Sequence, residues 1–253
     1  MSGAATLRFS KMHGAGNDFV VLDLRGGRPA PTPALAAALG DRHRGVGFDQ
    51  LLTIEDPLED GVLARYRIWN IDGSPARQCG NGARCVAAWL RRDGAAPGVR
   101  FELQGPAGRV GVEDRGEGRF AVDMGPPRFE PEALPFLAPP GAEGGHYALE
   151  LEGRPLAFGV VSMGNPHAVI EVADLDAADV AGLGPALQAR PEFPEGVNVG
   201  FAQVVADDHV RLRVFERGAG ETLACGTGAC AAAVVLARRG RTGERVPIEL
   251  PGG

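Results

Sequence analysis

CGNGARCVAAWLRRDG occupies residues 79–94, and CGTGACAAAVVLARRG occupies residues 225–240. Each stretch opens on Cys-Gly-x-Gly and runs into a helix-forming sequence, so the chain carries one cysteine phrase twice. The surroundings repeat as well. GNDFVVLD from Gly16 is echoed by GNPHAVIEV from Gly164, and RIWN ending at Asn70 is echoed by RVFE ending at Glu216. Asn17 and Asn165 are 148 positions apart, whereas Asn70 and Glu216, and likewise Cys79 and Cys225, are 146 apart. Three elements in one order at nearly one offset describe a duplicated fold, with its copies expected about a pseudo-twofold axis.

Between the copies, PPRFEPEALPFLAPPGAEGG at 126–145 gathers proline and glycine and loses periodicity. The division falls there, giving halves 1–125 and 126–253. The runs FVVLDL, LLTIED, RVGVED and FAVDM read as strands in the first half, and AFGVVSM, AVIEV, FAQVVA and VRLRVF in the second. PTPALAAALGDRHRG predicts a peripheral helix with proline near its start and Gly45 beyond its end, and DAADVAGLGPALQAR offers a weaker counterpart. The central helices, predicted over Ala83–Arg92 and Ala229–Arg239, carry alanine and large apolar residues around most of their circumference. A helix apolar on most sides is enclosed. The expected class is therefore α+β, with two pseudo-symmetric domains, each a largely antiparallel or mixed sheet curled around a central helix.

A hydrophobic content of 44% over 253 residues suits packed domains, and a formal charge of -6 without a basic block counts against nucleic acid as a partner. Small metabolites fit better. The start MSGAATLRF lacks the pattern of a signal peptide, and no apolar run is long enough to span a bilayer, so a cytoplasmic protein without a membrane partner is expected. The four cysteines at 79, 85, 225 and 230 are read as reduced thiols, and their spacing lacks the close pairs of a zinc site. No metal is expected.

In C-G-x-G the glycines permit a tight approach and leave the next helix's first amides facing an anion such as a carboxylate. The same helix end favours a thiolate and lowers a thiol's pKa toward neutrality. Cys79 and Cys225 are thus candidate acid-base groups. Cys85 and Cys230 follow them at unequal offsets of six and five and read as packing residues. A Cys-His hydrolase using His167 or His13 would leave the second cysteine phrase unexplained.

With FSKMHGAGNDFVV at 9–21, RHRGVGFDQLL at 42–52, CGNGARC at 79–85, VSMGNPHAV at 161–169, ERGAGETLACGTGAC at 216–230 and the final LPGG, the chain resembles the diaminopimelate epimerases. The resemblance implies cofactor-independent epimerisation of LL-2,6-diaminopimelate to the meso isomer, in lysine and peptidoglycan-precursor biosynthesis. It also implies two pseudo-symmetric domains with the active site between them, a homodimer, and no cofactor. Cys79 and Cys225 then resemble the two acid-base residues. Asn17, Gln50, Asn70, Asn165 and Asn198 resemble the groups that fix the substrate's amino and carboxylate groups, with Glu216 and Arg217 reading the distal end. Gly80 and Asn81, and Gly226 and Thr227, would present amides at the two helix mouths. His167 and Glu216 resemble residues that tune the cysteines.

Two departures from the family pattern carry expectations. Family chains continue for roughly twenty residues beyond LPGG, so folding yield or activity is expected to suffer where the chain stops at Gly253. Pro75 stands where the family has a non-proline residue and is expected to stiffen its loop. Oxidation is expected to join Cys79 and Cys225 and stop turnover. A proline-type racemase is the alternative enzyme reading, and a non-enzymatic metabolite-binding module the alternative outside enzymes.

Overall fold

A computed structural model describes residues 6–76, 78–139, 145–151 and 153–253. The chain forms two compact units, Met1–Asp123 and Met124–Gly253.

The first unit contains β1 (Ser10–Gly14), β2 (Asn17–Asp23), α1 (Pro33–Gly40), β3 (Gln50–Glu55), β4 (Ala64–Asn70), β5 (Pro75–Ala76), α2 (Gly80–Arg92), β6 (Arg100–Gly105), β7 (Gly108–Asp114) and β8 (Phe120–Val122). Its sheet runs β1-β2-β3-β4-β6-β7-β8, with β5 added to β4. The β2/β3 and β4/β6 pairs are parallel and the others antiparallel. The sheet curls around α2, which meets strands from both ends of that order, β1 and β2 on one side and β7 and β8 on the other. Val86, Ala87 and Leu90 of α2 are fully enclosed with Phe19, Leu52, Ile54, Ile68 and Leu103 from the strands.

The second unit repeats the plan with β9 (His146–Leu151), β10 (Arg154–Ser162), β11 (Pro166–Glu171), α3 (Val180–Gln188), β12 (Asn198–Ala206), β13 (His209–Glu216), β14 (Gly220–Thr222), α4 (Gly226–Arg238) and β15 (Ile248–Glu249). Its sheet runs β14-β13-β12-β11-β10-β9, with β15 beside β13. The β11/β12 pair is parallel, as is β13/β15. Here α4 occupies the place of α2, packing Ala231, Ala232, Val235 and Leu236 against β10 to β13.

All eight expected strand runs are strands, and β1, β4, β5, β6, β9, β14 and β15 join them. Both central helices begin three residues earlier than their apolar runs, at Gly80 and Gly226, because Cys79 and Cys225 occupy the N-cap positions. The peripheral helix α1 begins as expected, with Thr32 capping Leu35 and proline at the first position. It stops at Gly40, short of Gly45, because the Asp41 carboxylate takes the amides of His43 and Arg44 and turns the backbone out of the helix.

The proline-rich stretch after residue 125 is more than a spacer. Leu134 and Phe136 enter the second unit's core, Phe136 meeting Tyr147 with ring centroids 4.7 Å apart, and Arg128 bridges to Ser162. Residues 140–144 of that stretch lie outside the described residues. Pro75 sits in β5 opposite Trp69, a two-residue strand that draws the approach to Cys79 against β4.

Candidate active site

Each unit builds a cysteine-centred site at the N-terminus of its enclosed helix. In the first, Cys79 has extended backbone (φ -154°, ψ 105°), and its sulfur accepts the Gly82 amide at 3.3 Å. A Cβ on Gly82 would come within 3.0 Å of Leu52 Cδ2 and 3.5 Å of the cysteine sulfur. The last position of C-G-x-G is therefore glycine because helix, sheet and thiol meet there. Gly228 repeats this in the second unit, where a Cβ would stand 3.0 Å from Val214 Cγ2 and 3.3 Å from Cys225 Sγ.

Around Cys79 the polar residues come from strand ends. Asn17, at the start of β2, places its amide oxygen 3.8 Å from the sulfur. Gln50 opens β3 and Asn70 closes β4, and the antiparallel register sets them opposite each other, with Gln50 Nε2 donating to Asn70 Oδ1 at 3.2 Å. Asn70 Nδ2 donates in turn to Ser74 Oγ at 3.1 Å. Among the described residues, buried Gln50 Oε1 has no hydrogen-bond partner, leaving an acceptor beside this cluster. Asn81, in the first turn of α2, is 2% exposed and accepts from Arg84. Tyr66 lies near enough for burial, and then the charge on Cys79, to push its phenol well above the ordinary range. Burial pushes the Cys85 thiol up to about 11, as a packing residue requires.

The second cluster differs in charge. Cys225 caps α4 and is 5% exposed, with Sγ donating to Glu216 Oε2 at 3.2 Å and lying 3.5 Å from Thr227 Oγ1. Glu216 is held on its other oxygen by the Thr222 hydroxyl at 2.6 Å. Burial, and next the Glu216 charge, raise the Cys225 pKa well above its ordinary value, outweighing the Thr227 and Gly228 hydrogen bonds that lower it. The expectation that a helix mouth brings this thiol toward neutrality is therefore not met at Cys225: desolvation wins over the end of the helix dipole.

The remaining residues of this half form one connected group. Asn165 Nδ2 donates to Thr227 Oγ1 at 3.3 Å, and Asn165 Oδ1 lies 3.0 Å from His167 Nε2. His167 is 1% exposed, and burial, followed by the charge of Arg217, lowers its pKa to about 3. It is a neutral imidazole. Asn198 donates to the Pro166 carbonyl at 3.0 Å and accepts the Arg217 amide at 2.9 Å, tying β12 to the end of β13. The exposed Arg217 guanidinium reaches the Glu195 carbonyl at 2.9 Å, crossing over Gly196, where a Cβ would stand 3.1 Å from Arg217 Cδ. His13, the other histidine considered as a base, lies exposed on β1.

Asn17, Gln50, Asn70, Gly80 and Asn81 lie in the unit of Cys79, and Asn165, His167, Asn198, Glu216, Arg217, Gly226 and Thr227 in that of Cys225. Sequence reasoning missed the residues behind them: Asp49, which holds Asn17, Ser74, which holds Asn70, and Thr222, which holds Glu216. Asp49 could have been suspected, since it precedes Gln50 at the mouth of β3.

The fold is shared with several solved epimerases and isomerases. A hydroxyproline epimerase from Agrobacterium vitis superposes with a TM-score of 0.65 at 19% identity, covering 92% of this chain and 77% of that one. A probable proline racemase from Agrobacterium radiobacter K84 gives 0.63 at 19% identity, over 94% and 78%. Sequence goes further. The family model described as diaminopimelate epimerase matches residues 9–130 and 159–253. Diaminopimelate epimerase of Xanthomonas euvesicatoria pv. vesicatoria (strain 85-10) is 62% identical over 98% of this chain and 87% of its own length. That of Xylella fastidiosa (strain M23) is 59% identical over the same shares. The chain belongs to the diaminopimelate epimerase family.

Proposed function

We propose that the chain interconverts LL-2,6-diaminopimelate and meso-2,6-diaminopimelate without a cofactor, using Cys79 and Cys225 as its acid-base pair. The observation that carries this reading is the duplicated N-cap: one thiol per unit at a helix mouth, each closed in by the second glycine of its motif.

Inverting an α-carbon requires a base at one face and an acid at the other. A thiolate removes the α-proton, a thiol returns one to the opposite face, and the two cysteines end the turnover with their protonation states exchanged. The α-proton is weakly acidic because negative charge develops on an already ionised carboxylate. First-turn amides point out of a helix mouth at the positive end of its dipole, so Gly80 and Asn81, and Gly226 and Thr227, are suited to bind that carboxylate and stabilise the charge.

The difference between the two clusters supports an assignment of starting states. Cys225, buried beside Glu216, holds its proton and begins as the acid; Cys79, whose sulfur accepts the Gly82 amide, begins as the base. Asn17, Gln50, Asn70, Asn165 and Asn198 would orient the substrate's amino and carboxylate groups, and Arg217 and Glu216 its distal amino-acid end. A guanidinium suits that distal carboxylate because it pairs with it through two parallel hydrogen bonds. His167, neutral and behind Asn165, tunes the second cluster. The reading includes a cytoplasmic homodimer, to be checked by light scattering. Among the described residues, no helix is long and apolar enough to cross a membrane.

Cysteine-to-serine variants test the pair. Cys79→Ser and Cys225→Ser should each lower epimerisation by about a hundredfold or more, the usual scale of positioned acid-base catalysis. A single-serine variant that epimerises at the parent rate contradicts the assignment.

A further inference from the structure

Asn17 and Asn165 are counterparts in the repeat, but their amides are held by different chemistry. Asn165 faces His167, and an imidazole nitrogen either donates or accepts according to its tautomer. Asn17 faces Asp49. Its Nδ2 lies 2.9 Å from Asp49 Oδ2, which also accepts the Asp18 amide at 2.9 Å. An ionised carboxylate only accepts, so the amide can meet it only through its NH2 group. The amide oxygen is then left on the other side, 3.8 Å from Cys79 Sγ.

The carboxylate is itself fixed. Arg42 Nη2 spans Asp49 Oδ1 and Asp18 Oδ1, each at 2.8 Å, and the Asp49 amide donates back to Asp18 Oδ1 at 2.9 Å. Lys11 adds a contact to Asp18 at 2.6 Å. Asn17 on β2 and the Gly82 amide on α2 face Cys79, and the Tyr66 phenol on β4 is near enough to feel its charge. The Gly82 amide favours a thiolate, whereas an amide oxygen opposes one and favours the thiol.

We propose that Asp49 is a positioning residue: by locking the Asn17 amide with its oxygen toward Cys79, it keeps the Cys79 thiolate more basic than its helix mouth alone would leave it. The inference rests on Cys79 acting as a base in the proposed reaction. Without the lock, the amide turns, its NH2 group donates to the sulfur, and the thiolate becomes easier to form but poorer at removing a weakly acidic proton.

The test is the pH dependence of Cys79 alkylation by iodoacetamide, followed on the Cys79 peptide by mass spectrometry in the full chain, alongside epimerase assays. In Asp49→Asn the alkylation midpoint should fall by about one pH unit, the size of one hydrogen bond to a charged group. kcat should fall with it. Asp18→Asn, which disturbs the same ion cluster without touching the Asn17 amide, should leave the midpoint in place, and Asp49→Asn added to Asn17→Ala should shift it no further. Asp49→Ser, whose hydroxyl both donates and accepts, substitutes if the asparagine variant does not fold. An unchanged midpoint in Asp49→Asn, or an equal fall in Asp18→Asn, overturns the proposal. Epimerisation surviving in Cys79→Ser instead defeats the reading of Cys79 as base, independently of the alkylation result.

Discussion

Cys225 Sγ lies 3.2 Å from Glu216 Oε2, whereas its counterpart Cys79 faces the amide oxygen of Asn17 at 3.8 Å. The asymmetry traces to one exchange in the repeat. Glu216 corresponds to Asn70, which is neutral and turned to Gln50 and Ser74. The same fold therefore supplies one cysteine beside a carboxylate and one beside an amide oxygen.

Glu216→Gln removes that anion, the second cause of the raised Cys225 pKa after burial. Removing a like charge eases ionisation, so the midpoint of Cys225 alkylation should move to lower pH, while burial keeps it above the ordinary thiol range. Epimerisation should fall about tenfold or more because the carboxylate that holds the starting acid's proton in place is lost. A midpoint that rises, or does not move, contradicts the charge argument.

Gly228→Ala introduces a Cβ 3.0 Å from Val214 and 3.2 Å from Cys225 Cβ. Neither neighbour is the far end of a flexible side chain. The expected cost is about 1–3 kcal/mol in chemical denaturation, as for other overpacked sites, with a larger fractional loss of activity because the thiol is displaced. Equal activity and stability would show that the close approach is not required.

His167 makes stability depend on pH. Its folded pKa, lowered to about 3 from 6.5, means that the unfolded chain takes up this proton first on acidification. The contribution is complete above pH 6.5 and is lost progressively as the pH falls from there toward 3, at up to about 1.4 kcal/mol per unit. His167→Gln should flatten the stability profile between pH 6.5 and 5, measured by urea denaturation. An unchanged slope in that window contradicts a buried neutral imidazole.

Much of this was legible in the sequence because duplication displays the constraints twice. The repeated Cys-Gly-x-Gly gave both helix mouths, and the nearly equal offsets paired Asn17 with Asn165 and Asn70 with Glu216. The alternation in β6 (RFELQG) and β9 (HYALEL) was also present, but charged residues on the outer face interrupt the apolar signal in such short strands. What could not be read was anything set by register or burial. Asp49 meets Asn17 only because β2 and β3 run parallel with Phe19 beside Gln50, and Thr222 meets Glu216 only because β14 folds back on β13. The pKa of Cys225 went against the expectation from its helix mouth because burial depends on the packed whole.

The most direct measurement is proton NMR with chiral analysis of LL-2,6-diaminopimelate incubated with the reduced protein in deuterium oxide, without added cofactor. The account predicts meso product carrying deuterium at the inverted α-carbon, because the proton delivered to the new face comes from a solvent-exchanged thiol. Meso product without deuterium, or no exchange by a demonstrably folded sample, would contradict it.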